Sequence, residues 1–328
     1  MGEATKNGAP ARRIGRSGIE VSAIGLGCWA IGGPVWRGDA PSGWGQVDDA
    51  ESVRAVQRGV ELGVTLLDTA DVYGAGHSER VVGRAIASCR DDVVIATKFG
   101  IVFDEESKEI TGQDASPEYI RRACDASLQR LGTDRIDLYQ FHLAGHELGD
   151  ADAVRDTLEE LVAAGKIRSY GWSTDDAARI GAFATGPGCA AAQVAFSVLG
   201  GNDDALGVCE KEDLGALIRG PLSMGILTGK FTTETKLPED DVRHSWDFSQ
   251  GDLAARLDTV EQLRAVLGAN GRTLAQGALG WLLARSETTL PIPGFKSVSQ
   301  VEDNAGALRT GPLSADEMAA IDAILHPA

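Results

Sequence analysis

Four ionisable residues fall where apolar, β-branched runs end. Asp68 follows residues 64–67, Tyr73 lies five positions further on, Lys98 follows residues 93–97, and His142 follows residues 136–141. Such runs read as strands buried on both faces of a parallel sheet. In a barrel of those strands, polar residues at the carboxyl ends read as catalytic. A free phenol has a pKa of about 10, so Tyr73 exchanges protons at neutral pH only if its surroundings tune it. A nearby ammonium favours the phenolate. Lys98 can supply that charge, Asp68 can pin the lysine, and His142 can hydrogen-bond a substrate oxygen. The set suits protonation of an oxyanion that forms when something else attacks a carbonyl carbon. With no evident protein nucleophile, a bound hydride donor is the natural attacker. Taken singly, the four read as a turn cap, a packed loop tyrosine, a snorkelling lysine and a core histidine. Their joint placement on successive strands argues for one site.

An alternation of strands and helices must position them. Residues 12–22 read as a hairpin turning at Ser17-Gly18, followed by a core strand at 23–26 and a long loop over 32–47. A helix then begins after Asp48, whose carboxylate can cap it. Strand 64–67 leads to helix 78–88, and strand 93–97 leads past a loop to helix 117–131, with Ser116 as cap and Pro117 in the first turn. Strand 136–141 precedes helix 151–164, which Gly165 ends. Strands 167–172, 190–195 and 214–218 precede helical stretches over 175–183, 203–210 and, past a long loop to about residue 250, 252–268 and 273–285. Strand 288–292 and helices 298–308 and 314–325 finish the chain. Eight such units imply parallel pairing and right-handed crossovers, an α/β fold closed as a (β/α)8 TIM barrel. An open doubly wound sheet is the alternative. The glycines from Gly25 to Gly32 lack the Gly-x-Gly-x-x-Gly spacing and no helix follows directly, so a Rossmann domain is set aside.

Composition agrees. The 328 residues contain no linker-like tract, which favours one domain over 1–328 with residues 1–11 as a flexible tail. A net charge of −17 argues against nucleic-acid and anionic-membrane partners. No apolar stretch approaches the roughly 20 residues of a membrane span, and the polar N-terminus carries no secretory signal. Cys28, Cys89, Cys124, Cys189 and Cys209 are odd in number and never spaced as C-x-x-C, so neither a disulfide framework nor a metal site is expected. A reducing cytoplasm is the expected location.

The motifs resemble the aldo-keto reductase family. Leu67-Asp-Thr-Ala-Asp-Val-Tyr-Gly with His77-Ser-Glu is similar to its first signature, Ile95-Ala-Thr-Lys-Phe-Gly to its lysine strand, and Asp137-Leu-Tyr-Gln-Phe-His to its histidine strand. The resemblance runs from about residue 12 to residue 308. It implies catalytic roles for Asp68, Tyr73, Lys98 and His142, a barrel plugged at the bottom by its N-terminal hairpin, and NADP(H) bound across the top. It also implies the cofactor contacts. Tyr170-Gly-Trp-Ser-Thr is similar to the family's Gly-Val-Ser-Asn segment, which sets Ser173 and Thr174 near the nicotinamide amide together with Gln193. Arg219-Gly220-Pro221-Leu222-Ser223-Met224-Gly225, continuing to Lys230, looks like the loop around the pyrophosphate. The segment from Pro293 and Gly294 to Asn304 looks like the adenosine phosphate site, with Lys296 at the 2′-phosphate and Gln300, Asp303 and Asn304 at the adenine end. Cys28 and Trp29 fall where the family touches the nicotinamide ribose. Three positions depart from the family pattern: Thr174 for Asn, Gln300 for Arg and Asp303 for Glu.

Trp36, Trp44, Trp246 and Phe248 lie in loops after strands and form a candidate aromatic pocket, suited to a sugar ring or an aromatic carbonyl. The expected activity is reduction of an aldehyde or ketone by NADPH, with Tyr73 as general acid. A regulatory subunit that binds NADP(H) without significant turnover is the alternative. The oligomeric state is not encoded in any pattern of helix faces.

Overall fold

The computed structural model describes residues 10–327. Eight parallel strands form the sheet: β1 (Leu26–Gly27), β2 (Leu66–Asp68), β3 (Val94–Phe99), β4 (Ile136–Phe141), β5 (Ile167–Ser173), β6 (Cys189–Ser197), β7 (Gly215–Arg219) and β8 (Thr289–Pro291). Each pairs with its sequence neighbour in parallel. The sheet closes where the Gly25 N–H donates to Pro291 O at 2.8 Å and the Gly27 N–H to Pro293 O at 2.9 Å. The (β/α)8 barrel expected from the alternation is present.

Outer helices follow as their end residues dictate: α1 (Asp49–Glu61), α2 (His77–Ile86), α3 (Pro117–Leu131), α4 (Ala151–Ala163), α5 (Ala177–Phe183), α6 (Asp203–Lys211), α7 (Gly251–Leu267), α8 (Leu274–Arg285), α9 (Val298–Thr310) and α10 (Ala315–Leu325). Asp48 caps α1 by accepting from the N–H groups of Ala50 and Glu51 at 2.8 and 3.1 Å. Ser116 caps α3, which ends at Gly132 in the left-handed region. None of these helices is long and apolar enough to cross a membrane.

A hairpin, Ala11–Ile14 with Ile19–Ser22, covers the bottom of the barrel. Its Ile14, Ile19 and Val21 pack against Leu66, Val94, Leu138, Leu217 and Leu290 inside the barrel. Gly15 turns the hairpin at φ +42°, where a Cβ would lie 2.4 Å from Asp213 O, so only glycine fits. The tail expected over residues 1–11 is corrected at its end. Ala11 pairs with Ser22, and Pro10 O accepts from the Ala23 N–H at 2.8 Å. The rest of that tail lies outside the described residues.

Two expected loops carry structure. After β3 a hairpin of Ile101–Asp104 and Glu109–Gln113 forms, and Trp36–Arg37 and Ala40–Pro41 from the loop after β1 join it as a four-stranded rim sheet. Its turn is nucleated by Asp104, which accepts from the N–H groups of Glu106 and Ser107. The strand expected at 23–26 is displaced to Leu26–Gly27, because Ala23 and Gly25 are spent on the hairpin and the barrel seam.

One buried ion pair ties helices to barrel. Glu79 on α2 is fully buried, accepting from Arg130 Nε at 2.7 Å and Thr97 Oγ1 at 2.6 Å. Arg130→Met strands that carboxylate, and the unfolding free energy is expected to drop by about 3 kcal/mol. A denaturant midpoint indistinguishable from wild type would refute this.

Candidate active site

Strand side chains alternate, so each barrel strand sends every second residue inward. Leu66 and Asp68, Ala96 and Lys98, Leu138 and Gln140 stack in that order from the plugged bottom towards the top. Register places Gln140 beside Lys98 on one side and Gly171 on the other. The upper layer is polar and buried: Asp68 is 3 % exposed, Lys98 and Gln140 0 %, and Gln193 2 %. Burying charge there is tolerable only because every charged atom is met.

Lys98 Nζ donates to Asp68 Oδ2 at 2.7 Å, Thr69 O at 2.8 Å and Tyr73 Oη at 3.0 Å. Asp68 Oδ1 accepts from Gln140 Nε2 at 2.9 Å and Gln193 Nε2 at 2.8 Å. Tyr73 is set by a tight turn in which the Ser78 N–H donates to its carbonyl at 3.1 Å. The next residue, Gly74, sits at φ +63° with Gly32 O 1.7 Å from where a Cβ would be. The turn therefore packs against the loop after β1 as only glycine permits. Trp29 from that loop stacks on Tyr73 at 5.8 Å between ring centroids.

His142 follows β4 and presents its ring edgewise to Tyr73, 6.0 Å between centroids. Its Nδ1 is buried without a partner. An unpaired buried N–H is costly, which puts the proton of the neutral ring on Nε2. Burial, then the positive charges of Lys98 and Arg219, hold His142 well below the ordinary imidazole value. Burial opposes the charge on Lys98, but Asp68 and Tyr73 outweigh it and raise the ammonium above its usual value. For Tyr73, burial raises the phenol, Lys98 pulls it down, Asp68 adds to the rise, and the net shift is upward. The expectation of a tyrosine lowered by its lysine is thus corrected. Burial wins, and Tyr73 keeps its proton.

The structure brings Asp68, Tyr73, Lys98 and His142 together. The expected cofactor contacts divide. Gln193 reaches inward with Nε2, and Ser173 at the end of β5 has a hydroxyl without a partner among the described residues. The Thr174 hydroxyl is committed, donating to Ala144 O at 3.0 Å and accepting from the Asp176 N–H at 3.2 Å. Cys28 points into the core, fully buried, its thiol pushed up by burial first and then by Asp68. The loop after β7 turns through positive φ at Gly220, Ser223, Met224 and Gly225, with Pro221 and Leu222 buried beneath it. Arg219 pairs with Asp175 on the rim.

Lys230, Arg243 and Lys296 gather near one another. Partial burial, then Arg243, lowers Lys230, with Lys296 adding to the effect. Lys296 Nζ donates to Trp44 O at 2.8 Å and Gln46 O at 3.1 Å. Gln300 accepts from the Lys296 backbone N–H at 2.7 Å. Asn304 donates to Gly294 O at 3.3 Å. Asp303 is turned away to the start of α8, taking Thr273 Oγ1 at 2.8 Å and Gln276 Nε2 at 3.0 Å. Its shorter reach than Glu leaves it a helix anchor.

The aromatic pocket is not assembled as expected. Phe248 is 1 % exposed and packs with Phe231 at 4.8 Å and Trp246 at 5.8 Å in the loop after β7. Trp36 sits in the rim sheet. Trp44 packs edgewise on Trp29 at 5.3 Å and under the Arg243 guanidinium at 4.2 Å. The aromatic group nearest Tyr73 is Trp29, which the motif reading had assigned to the cofactor ribose.

A family model described as the Aldo/keto reductase family matches residues 23–326. The chain belongs to the aldo/keto reductase family. Aldo-keto reductase yakc (NADP(+)) of Schizosaccharomyces pombe is 32 % identical over 308 residues, covering 92 % of this chain and 87 % of that protein. The glycerol dehydrogenase AKR11B4 of Gluconobacter oxydans superposes with a TM-score of 0.84 at 30 % identity, covering 96 % and 94 % of the two chains. An aldo-keto reductase of Klebsiella pneumoniae solved with NADPH gives a TM-score of 0.70 at 30 % identity, covering 98 % and 96 %.

Two parts of this aldo-keto reductase site were missed in the sequence. Gln140 had a signal, since it stands two residues beyond inward-facing Leu138. The pair of Asp241 and Arg243 had none, as it lies in an irregular loop.

The unfolded chain takes up a proton on His142 near its usual pKa of about 6.5, whereas the folded protein resists it. Below that value the unfolded state binds more protons, so this residue makes stability fall as pH drops. His142→Gln is therefore expected to flatten the acid side of the stability profile. In ring-labelled protein the His142 resonance is expected to stay that of the neutral ring as pH falls through about 6.5; a change to the protonated ring there would refute the assignment.

Proposed function

We propose that this protein is an NADPH-dependent reductase of aldehydes or ketones, working within a single barrel domain, with Tyr73 as the proton donor. The observation that carries this is the bond from Lys98 Nζ to Tyr73 Oη. Because the phenol oxygen accepts from lysine, the tyrosine's own hydrogen is left to point at a substrate. NADPH, when bound, would supply the hydride that the carbonyl carbon takes up. Tyr73 donates its proton to the carbonyl oxygen, and His142 Nε2–H offers that oxygen a second hydrogen bond. The phenolate left behind lies against the Lys98 ammonium, which Asp68 keeps charged. Run backwards, the same groups oxidise an alcohol.

The residues present suit that cofactor. Gln193 and Ser173 offer polar groups to a carboxamide. Among the described residues neither Lys230 nor Lys296 forms a direct ion pair, although Asp241 lies near enough to act on both, which leaves their ammonium groups open to phosphates. The loop 219–225 and the Asn304 end of α9 complete the cleft. The relative whose name carries NADP(+) and the Klebsiella structure with NADPH support the same choice. For substrate, a sugar or aromatic carbonyl is the proposed class, stacked on Trp29 beside Tyr73.

The test is loss of NADPH absorbance with a panel of aldehydes, ketones and keto-sugars, Tyr73→Phe alongside. Wild type is expected to turn over at least one class. Tyr73→Phe is expected to lose activity by at least roughly a hundred-fold, within the range for removal of a general acid, while still binding NADPH. Tight NADPH binding without turnover would favour a regulatory subunit instead.

The Trp44 ring carries the Arg243 guanidinium beside Lys230 and Lys296, so Trp44→Ala is expected to weaken NADPH several-fold and to speed its release. Unchanged NADPH affinity with a raised substrate KM would return Trp44 to the substrate pocket.

A further inference from the structure

The second oxygen of Asp68 is held as firmly as the one that meets lysine. A carboxylate only accepts hydrogen bonds, so both glutamines must face it with their NH2 groups. Turning either amide over would set two oxygens against each other at under 3 Å. That orientation aims Gln140 Oε1 at Gln193, and Gln193 Nε2 donates to it at 3.1 Å. Gln193 thus spends one N–H on Asp68 and the other on Gln140. Only its Oε1 is left to face outwards, as an acceptor.

We propose that Gln140 is a positioning residue that links Asp68 to Gln193. It completes the shell of donors on the carboxylate that holds Lys98, and it locks Gln193 as an acceptor for the N–H of a nicotinamide carboxamide. Gln140 touches no reacting atom and acts through these two neighbours. The inference rests on the reading of Asp68, Lys98 and Tyr73 as the reaction centre. The other titratable groups facing Asp68 are Lys98 from β3, Tyr73 from the turn after β2 and Cys28 after β1.

Two substitutions test it. Gln140→Leu fills the space with no polar atom, leaving one Gln193 N–H unpaired in the interior. Turnover is expected to fall by roughly ten-fold, the scale of one unsatisfied buried group, with weaker NADPH binding. Gln140→Glu keeps the shape. Protonated, it has an O–H for Asp68 and a carbonyl for Gln193, and so replaces glutamine. Ionised, it sets two carboxylates together, a state that is strongly disfavoured. Its kcat and NADPH affinity are expected to approach wild type at low pH and to decline as pH rises, along a limb that wild type lacks.

A Gln140→Glu profile parallel to wild type, at whatever level, would overturn the proposal, because a merely space-filling residue has no reason to titrate. So would wild-type turnover and NADPH affinity in Gln140→Leu. If Gln140→Leu does not fold, the Gln140→Glu profile alone decides. If wild type reduces none of the carbonyls, the broader reading fails, and the pH dependence of NADPH binding to Gln140→Glu still decides this one.

Discussion

A carboxylate sits almost fully buried inside the barrel, and the site is built around meeting its oxygens with donors. Removing one charge from water costs several kcal/mol unless partners replace the lost hydration. Asp68 receives three side-chain donors, from Lys98, Gln140 and Gln193, drawn from three different strands. Its backbone carbonyl accepts from the Cys28 N–H at 2.8 Å, which ties a fourth strand end to the same residue. Those partners can meet only if β1, β2, β3, β4 and β6 hold their register. Closure at the seam with β8 and the hairpin plug below are therefore conditions for the chemistry as much as for the core.

The same burial decides what Tyr73 can do. A lysine beside a phenol in water would draw it towards the phenolate. Here the phenolate would itself be a half-buried anion close to Asp68, and the phenol is shifted upward rather than down. On the proposed reading, Lys98 acts less by ionising Tyr73 beforehand than by accepting a phenolate once the proton has gone. In the proposed reaction, a donor that holds its proton until an oxyanion arrives suits reduction, and a neutral His142 would add a hydrogen bond without adding charge.

The legible part of this architecture was the part with a period. Strands whose inward face continues as Leu66-x-Asp68 or Ala96-x-Lys98 announce both the barrel and its top layer, and helix caps at Asp48 and Ser116 stand where the side chains predict them. Signals failed where a residue's partner lies far away in sequence. Thr174 and Asp303, expected as cofactor contacts, also bond Ala144 O and Thr273 within the protein, partners that no local pattern announced. The aromatic residues were read by their position in loops, yet loops fold on one another. Phe248 turned into a core of its own, and Trp44 was captured by Arg243 from the opposite loop. The direction of the Tyr73 shift was misjudged for a related reason, since composition shows which charges are near but not how completely water is excluded.

Inside and rim are held by different means. In the interior, four side chains share charge-assisted bonds with almost no exposure, and removing one leaves another unsatisfied. At the rim, Asp241 takes Arg243 in a two-point pair, Arg243 also reaches Met224 O at 2.8 Å, and the Val242 N–H reaches Gly43 O at 2.8 Å. Lys296 stays exposed while it holds the carbonyls of Trp44 and Gln46. Exposed contacts of that kind contribute little net stability, because water replaces them readily. An anion offered to Lys296 would replace neutral carbonyls with a full charge, a gain the interior network could never match by rearranging. The loops after β1 and β7 thus meet around one buried ion pair, Asp241 with Arg243, and the exposed contacts of Lys296 beside it.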